Sequence, residues 1–258
     1  MKVISFSLFG EPSIYTFGAV VNAYRIGREV FPGWIARFYF TNTVASETRE
    51  LLRYFGAQLV YVQPGDVPSP IFGRMLVMTD PKVGTWICRE AEARVGGLRE
   101  EAVVAEWLKS KVPWHVIKDH PGCAVTPVST GCWGGRGLCA HLPNLKWSML
   151  DWASRQAKPV LWTERKPEWF IRNQEFVRDC LWPRMLETGL MVHWSEGAKI
   201  ANEPYPHYAD TARVARSFPP ELEDGSYIGE AIGYQGAPVC ARLREARKVV
   251  NGKLVCQD

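Results

Sequence analysis

Within the first ninety residues, four short β-rich runs alternate with helical stretches, and this rhythm limits the fold more than any other feature of the chain. Val3 to Leu8 reads as a buried strand. Pro12-Ser13 then opens a helix in which Phe17, Val20, Tyr24, Gly27 and Phe31 share one face, and Pro32-Gly33 stops it. Trp34 to Phe40 is a second strand, and Ser46-Glu47 caps a helix that buries Leu51, Leu52 and Phe55 and ends at Gly56. Gln58 to Val62 is a third strand. A loop with Pro64, Gly65, Pro68 and Pro70 leads to a helix around Phe72 to Met78, and Gly84 to Arg89 forms a fourth strand. Strand-helix-strand order of this kind predicts a parallel sheet with helices on its faces.

A sheet of that type binds its ligand beyond the carboxyl ends of the strands, where the strand order reverses. Attention therefore falls on the residues after strands one and four. Ser7-Leu8-Phe9-Gly10 is a Gly-containing turn feeding a helix, which can present backbone N–H groups to a phosphate. After strand four comes Arg89-Glu90-Ala91-Glu92-Ala93-Arg94. Two carboxylates one residue apart can share a hard cation, and Arg89 and Arg94 can assist with phosphate charge. The competing reading is a solvated loop whose charges pair weakly at the surface.

The second half differs. Glu101 to Lys109 reads as a helix burying Val103, Val104, Trp107 and Leu108, followed by the strand Trp114 to Ile117 and the turn Lys118-Asp119-His120-Pro121. Ser129 to Gly137 is dense in Gly, Cys and Trp. Nine of the eleven tryptophans lie between 107 and 194, which offers either an aromatic-walled cleft or an aromatic core. With no repeat and no low-complexity linker, 258 residues at 47% hydrophobic composition read as one domain. A net charge of +4 is too even for a dedicated nucleic-acid binder, though compatible with an anionic small molecule. Seven scattered cysteines argue for reduced thiols and a cytoplasmic protein. The N-terminal apolar run reads as a strand rather than a signal peptide, and no stretch has the length of a membrane span. Cys123, Cys132, Cys139 and His141 lack Cys-x-x-Cys spacing, which disfavours structural zinc, and Arg242 to Lys248 reads as a solvated helix face or a docking surface for an acidic partner.

Several segments, taken in order, resemble a family of small nucleotide-diphospho-sugar glycosyltransferases with the GT-A fold. They are Val3 to Gly10, Tyr15-x-x-Gly18-Ala19-x-x-Asn22-Ala23, Phe31-Pro32-Gly33-Trp34 with Arg37-Phe38-Tyr39, Phe72-x-Arg74, Arg89-Glu90-x-Glu92-x-Arg94, Glu106-Trp107-Leu108, Lys118-Asp119-His120-Pro121 and Asn173-Gln174-x-Phe176. They span roughly residues 1 to 195, and Phe218-Pro219 with Tyr227-Ile228-Gly229-Glu230 looks like the family's closing element. The resemblance implies a GT-A-like, Rossmann-like α/β fold, a mostly parallel sheet flanked by helices with an aromatic-rich second half. It would have a nucleotide-binding half (about 1–110), an acceptor half (about 111–230) and a basic tail (about 238–258). The implied activity is sugar transfer from a nucleotide diphosphate sugar donor to a glycan or other hydroxyl acceptor, assisted by Mn2+ or Mg2+.

In that family an Asp-x-Asp pair holds the metal. Here both members are glutamate, Glu90 and Glu92, each one methylene longer. The segment from His193 to Lys199 is similar to one with which relatives complete the metal shell (His193) and grip the diphosphate (Lys199). Arg74 and Arg89 would support the phosphates, and Ser7, Gly10 and Tyr15 would lie near the nucleotide. Asp119 is the expected base, with His120 orienting it; Asp151 and Glu175 are poorer candidates. Asn173-Gln174 stands where the family more often has Asp-Gln near the acceptor, and an amide cannot take a proton. The two glutamates and Asn173 also favour an alternative, a glycosyltransferase-like protein that binds a sugar nucleotide or glycan without turnover.

Overall fold

The structure, a computed structural model, describes residues 1–10, 12–119, 127–157, 168–194, 214–217, 228, 247–250 and 253–256. Eight strands form one sheet: β1 (Lys2–Leu8), β2 (Trp34–Phe40), β3 (Gln58–Tyr61), β4 (Thr85–Arg89), β5 (Trp114–Lys118), β6 (Cys132–Arg136), β7 (Leu190–Trp194) and β8 (Val214–Ser217). They lie in the order β3-β2-β1-β4-β6-β5-β7-β8. Every neighbouring pair is parallel except those made by β6, which runs antiparallel to both β4 and β5. From β1 the chain order runs outward through β2 and β3 on one side and through β4 on the other, so the reversal of strand order falls between β1 and β4. The mostly parallel, helix-flanked α/β sheet expected from the sequence is the one the chain forms.

Alternation along the strands divides the core into two layers. Ile4, Phe6 and Leu8 of β1 pack with side chains of α1 (Ile14–Arg25), α2 (Ser46–Tyr54) and α3 (Leu98–Lys109), including Ala19, Leu52 and Trp107. The opposite face carries a 3-10 helix (Pro70–Thr79), α4 (Leu145–Ser154), α5 (Glu168–Phe176) and α6 (Trp182–Thr188), which supply Phe72, Met75, Met149, Phe176 and Met185. A π-helical turn, Val177–Leu181, joins α5 to α6. Among the described residues no helix is long and apolar enough to cross a membrane.

Four local expectations are corrected. The core face of α1 is not Phe17, Val20 and Tyr24 but Thr16, Gly18, Ala19, Asn22 and Ala23. The helix lies too close to the chain after β4 for large side chains, since a Cβ on Gly18 would sit 2.3 Å from the Ala91 carbonyl oxygen. Leu51 on α2 is 47% exposed and only Leu52 is buried there; Ser46 gives its hydroxyl to Glu47 and caps nothing. The segment around Phe72 to Met78 is 3-10 rather than α-helical. Ser7 Oγ donates to Ile71 O and accepts from Arg74 N, and Ser5 Oγ donates to Arg74 O, so β1 hydroxyls take backbone groups that an α-helix would pair internally. In the tail, Arg247 and Lys248 belong to a strand, β9 (Arg247–Val250), paired antiparallel with β10 (Lys253–Cys256), whereas residues 242–246 of the expected helix face lie outside the described residues.

The second-half tryptophans whose side chains are described are largely core. Trp107, Trp114, Trp133, Trp152 and Trp182 are buried, and Trp86, Trp114 and Trp133 form one cluster with ring centroids 4.8–6.3 Å apart. Trp147 on α4 is exposed.

Candidate functional site

At the reversal point β4 ends at Arg89 and the chain turns through Glu90, Ala91, Glu92, Ala93 and Arg94. Arg74 reaches this turn from the 3-10 helix and is wholly buried. Its guanidinium meets Glu90 Oε2 at 2.6 Å, donates to Thr130 Oγ1 at 3.0 Å and to the Arg89 carbonyl at 3.4 Å. Burial opposes the charge on Arg74, but the neighbouring Glu90 outweighs it and holds the guanidinium above its ordinary range. Gly131 lets the Glu90 side chain pass, since a Cβ there would lie 2.6 Å from Glu90 Cγ.

Glu92 is half-buried, and its Oε2 is shielded from solvent with no hydrogen-bond partner. Burial, and then the charge of Glu90, push its carboxyl up to about 8; Arg74 and a hydrogen bond from the Tyr15 hydroxyl work in the other direction. The Tyr15 hydroxyl is itself held far above its usual range by burial and by Glu92 and Glu90. Glu90, Glu92, Tyr15 and Arg74 thus form one electrostatic unit, in which the charge of Glu90 opposes the ionisation of Glu92.

Two acidic side chains, one with an unpartnered buried oxygen, suit a hard divalent cation that completes its shell with oxygens from outside the protein. An all-protein cage is not built: among the described residues no group of three or more His, Cys, Asp and Glu side chains gathers. The zinc alternative finds no support there either. Cys132 is buried against the Ile228 carbonyl, Cys139 is exposed, and Cys123 lies outside the described residues.

The other expected residues are placed as follows. Ser7 is a tie between β1 and the 3-10 helix rather than a nucleotide contact. Gly10 adopts φ +84°, but its N–H is given to Thr43 Oγ1 at 2.8 Å instead of being presented to a phosphate. Arg89 points to the opposite face of the sheet from Arg74, where Glu100 holds it. Asp119 does not suit a base. Its carboxylate is buried, with Oδ1 on Arg99 at 2.9 Å and Oδ2 accepting the Ile228 N–H at 2.8 Å. Asn173 is fully buried on α5, which packs against the 3-10 helix carrying Arg74, and neither its Oδ1 nor its Nδ2 has a hydrogen-bond partner. Gln174 beside it is half-buried. His120 and Lys199 lie outside the described residues.

His193 is not a metal ligand in this arrangement. Its Nε2 lies 3.2 Å from Glu106 Oε2 and its Nδ1 lies 2.8 Å from His115 Nε2. A carboxylate only accepts, so His193 donates from Nε2 and receives the His115 proton at Nδ1, which occupies both nitrogens. His115 stacks on Trp107 at 5.1 Å. Burial, then His193 and Arg89, hold its pKa well below the ordinary value. The folded state therefore keeps His115 neutral while the unfolded chain protonates near pH ~6.5. The unfolded state binds more protons below that point, so stability is full above about pH 6.5 and falls on acidification by up to about 1.4 kcal/mol per unit. Urea unfolding between about pH 7 and about pH 5 should show this slope, and His115→Gln should flatten it. An unchanged slope in the variant would place the acid sensitivity elsewhere.

Sequence reasoning gave no role to Asn22, Thr130 or Gly131. The available signals were the place of Asn22 in the Tyr15-x-x-Gly18-Ala19-x-x-Asn22-Ala23 segment and its amide among small buried residues.

No protein-family model and no curated protein matches the chain. Among solved structures it is similar to glucosyl-3-phosphoglycerate synthase from Mycobacterium tuberculosis. The complex with uridine diphosphate gives a TM-score of 0.43 at 9% identity, covering 72% of this chain and 80% of that one. The complex with phosphoglyceric acid gives 0.42 at 10% identity, covering 71% and 79%. The complex with Mn2+, UDP-glucose and phosphoglyceric acid gives 0.36 at 10% identity, covering 72% and 79%. The fold assignment itself rests on strand order and pairing.

Proposed function

We propose that this chain transfers a glycosyl group from a nucleotide diphosphate sugar to a hydroxyl acceptor. The observation that carries this reading is the unit formed by Glu90, Glu92, Tyr15 and Arg74 at the reversal of strand order, where an α/β sheet of this type binds its ligand. Glu90 and Glu92 would hold a divalent cation, Mn2+ or Mg2+, which when bound supplies positive charge to the departing diphosphate. Glu92 Oε2, shielded and without a hydrogen-bond partner, would be the open donor atom. Arg74 fixes the direction of Glu90 through a buried contact and brings positive charge to the same point. Asn173 can orient an acceptor hydroxyl with its unpartnered amide but cannot take the proton, so another group must act as base.

A second reading, a sugar-nucleotide-binding protein without turnover, is favoured by that amide and by the enclosure of Asp119. Thermal unfolding with a panel of nucleoside diphosphates, with and without Mn2+, tests what both readings share. UDP is the first probe in the panel because one of the similar solved structures carries it and another carries UDP-glucose. A stabilisation by one nucleotide that needs the metal is expected, about 2.7 kcal/mol at a hundredfold excess over Kd. A flat response across the panel would overturn the site. Donor hydrolysis then separates the readings: the double change Glu90→Asp and Glu92→Asp should raise it in a weak catalyst and leave a pure binder silent.

A further inference from the structure

The turn that carries the two acids has few backbone hydrogen bonds of its own, and one side chain collects its polar groups. Asn22 is wholly buried on α1. Its Nδ2 donates to Ala91 O at 3.1 Å and to Ala93 O at 2.8 Å, and its Oδ1 accepts from Val95 N at 3.1 Å. Both amide protons are used, each on a carbonyl adjoining Glu92 or one residue beyond it. Four residues earlier on the same helix stripe, Gly18 brings the helix against Ala91 O and Glu92 Cα, where a Cβ would lie 2.3 and 2.7 Å away. Gly18 and Asn22 therefore hold one turn from one helix face.

The direction of each acidic side chain follows from the orientation of the peptide units beside it. Fixing the Ala91 and Ala93 carbonyls fixes the Cα–Cβ vector of Glu92, and through Ala91 that of Glu90. Without Asn22 those carbonyls and the Val95 N–H would be buried and unpaired, and the turn would rotate to find partners. Resting on the reading of the preceding subsection, we propose that Asn22 is a positioning residue for the acid pair, setting both carboxylates to share one cation in the presence of the donor diphosphate.

The test uses the full chain with Mn2+ and UDP, reading Mn2+ affinity from the free-ion electron paramagnetic resonance signal. Asn22→Ala and Asn22→Asp are expected to weaken it by about 10- to 100-fold, the range typical when the groups that orient a ligand are removed. Asn22→Asp keeps the volume and the acceptor for Val95 N–H, so a readout survives if the alanine variant does not fold. Gly18→Ala pushes the same turn from a second point and should weaken Mn2+ binding in the same direction. A purely structural role would lower the melting temperature and leave the Mn2+ affinity of the folded molecules at the wild-type value, and that result would overturn the proposal for Asn22 alone. A wild-type protein that binds no Mn2+ with UDP would overturn the metal reading as well.

Discussion

Glu100→Ala is expected to cost about 3–5 kcal/mol of folding stability, because it strands a buried charge. Glu100 Oε1 meets Arg89 Nε at 2.6 Å and also Arg89 Nη2, while Oε2 accepts the Gly96 N–H at 2.7 Å. Neither partner is more than a few per cent exposed. Burial opposes the charge on Arg89, but the neighbouring Glu100 outweighs it and holds the guanidinium above its ordinary range. Arg89 also donates to the carbonyls of Cys88 at 3.0 Å and Gly131 at 3.4 Å, which cannot supply the missing negative charge. The paired change Arg89→Met with Glu100→Leu removes both charges together and should cost far less than Glu100→Ala, since the desolvation of two ions disappears with their attraction. Urea unfolding of the two variants decides it. A single variant as stable as wild type would mean that water reaches Arg89.

The contrast between Arg89 and its neighbours shows where sequence reading stops. The first four strands, the reversal point and the Glu90–Glu92 turn were legible because hydrophobic periodicity and turn residues are local signals. β6 was not legible as a strand. Gly134 and Gly135 make it look like a loop, yet a Cβ at Gly134 would lie 2.6 Å from the Trp86 carbonyl and one at Gly135 would lie 2.6 Å from the Trp86 ring. Glycine is there to let tryptophans close over the sheet. Similarly, Arg89 and Arg74 look alike beside an acidic motif, and only strand alternation and a tertiary partner assign Arg89 to Glu100 and Arg74 to Glu90. Asp119 and His193 sit at the expected strand ends, but Arg99 and Ile228 bind the first while Glu106 and His115 bind the second. Partners 20 to 109 residues away in sequence leave no mark in a motif.

Arg74→Lys should have the opposite profile to Glu100→Ala, with a modest loss of stability and a large loss of transfer. Its acid partner Glu90 is 24% exposed, so it can turn toward water when the guanidinium goes, whereas Arg89 has no such escape. What lysine cannot replace is the fork. Arg74 addresses Glu90 and the Arg89 carbonyl from Nη1 and Thr130 Oγ1 from Nη2, while an ammonium on a flexible stem cannot reproduce that planar fork. Retaining the charge therefore isolates geometry from electrostatics. Under the proposed function the loss in kcat/KM is expected to be about 10²–10³-fold, the range seen when one preorganised donor to a developing negative charge is removed. Thr130→Val removes only the acceptor at 3.0 Å that steadies the second nitrogen, and it should reproduce a smaller part of the same loss. If Arg74→Lys transferred sugar at the wild-type rate, the buried guanidinium would be a structural strut, and the charge assisting the departing diphosphate would have to come from elsewhere.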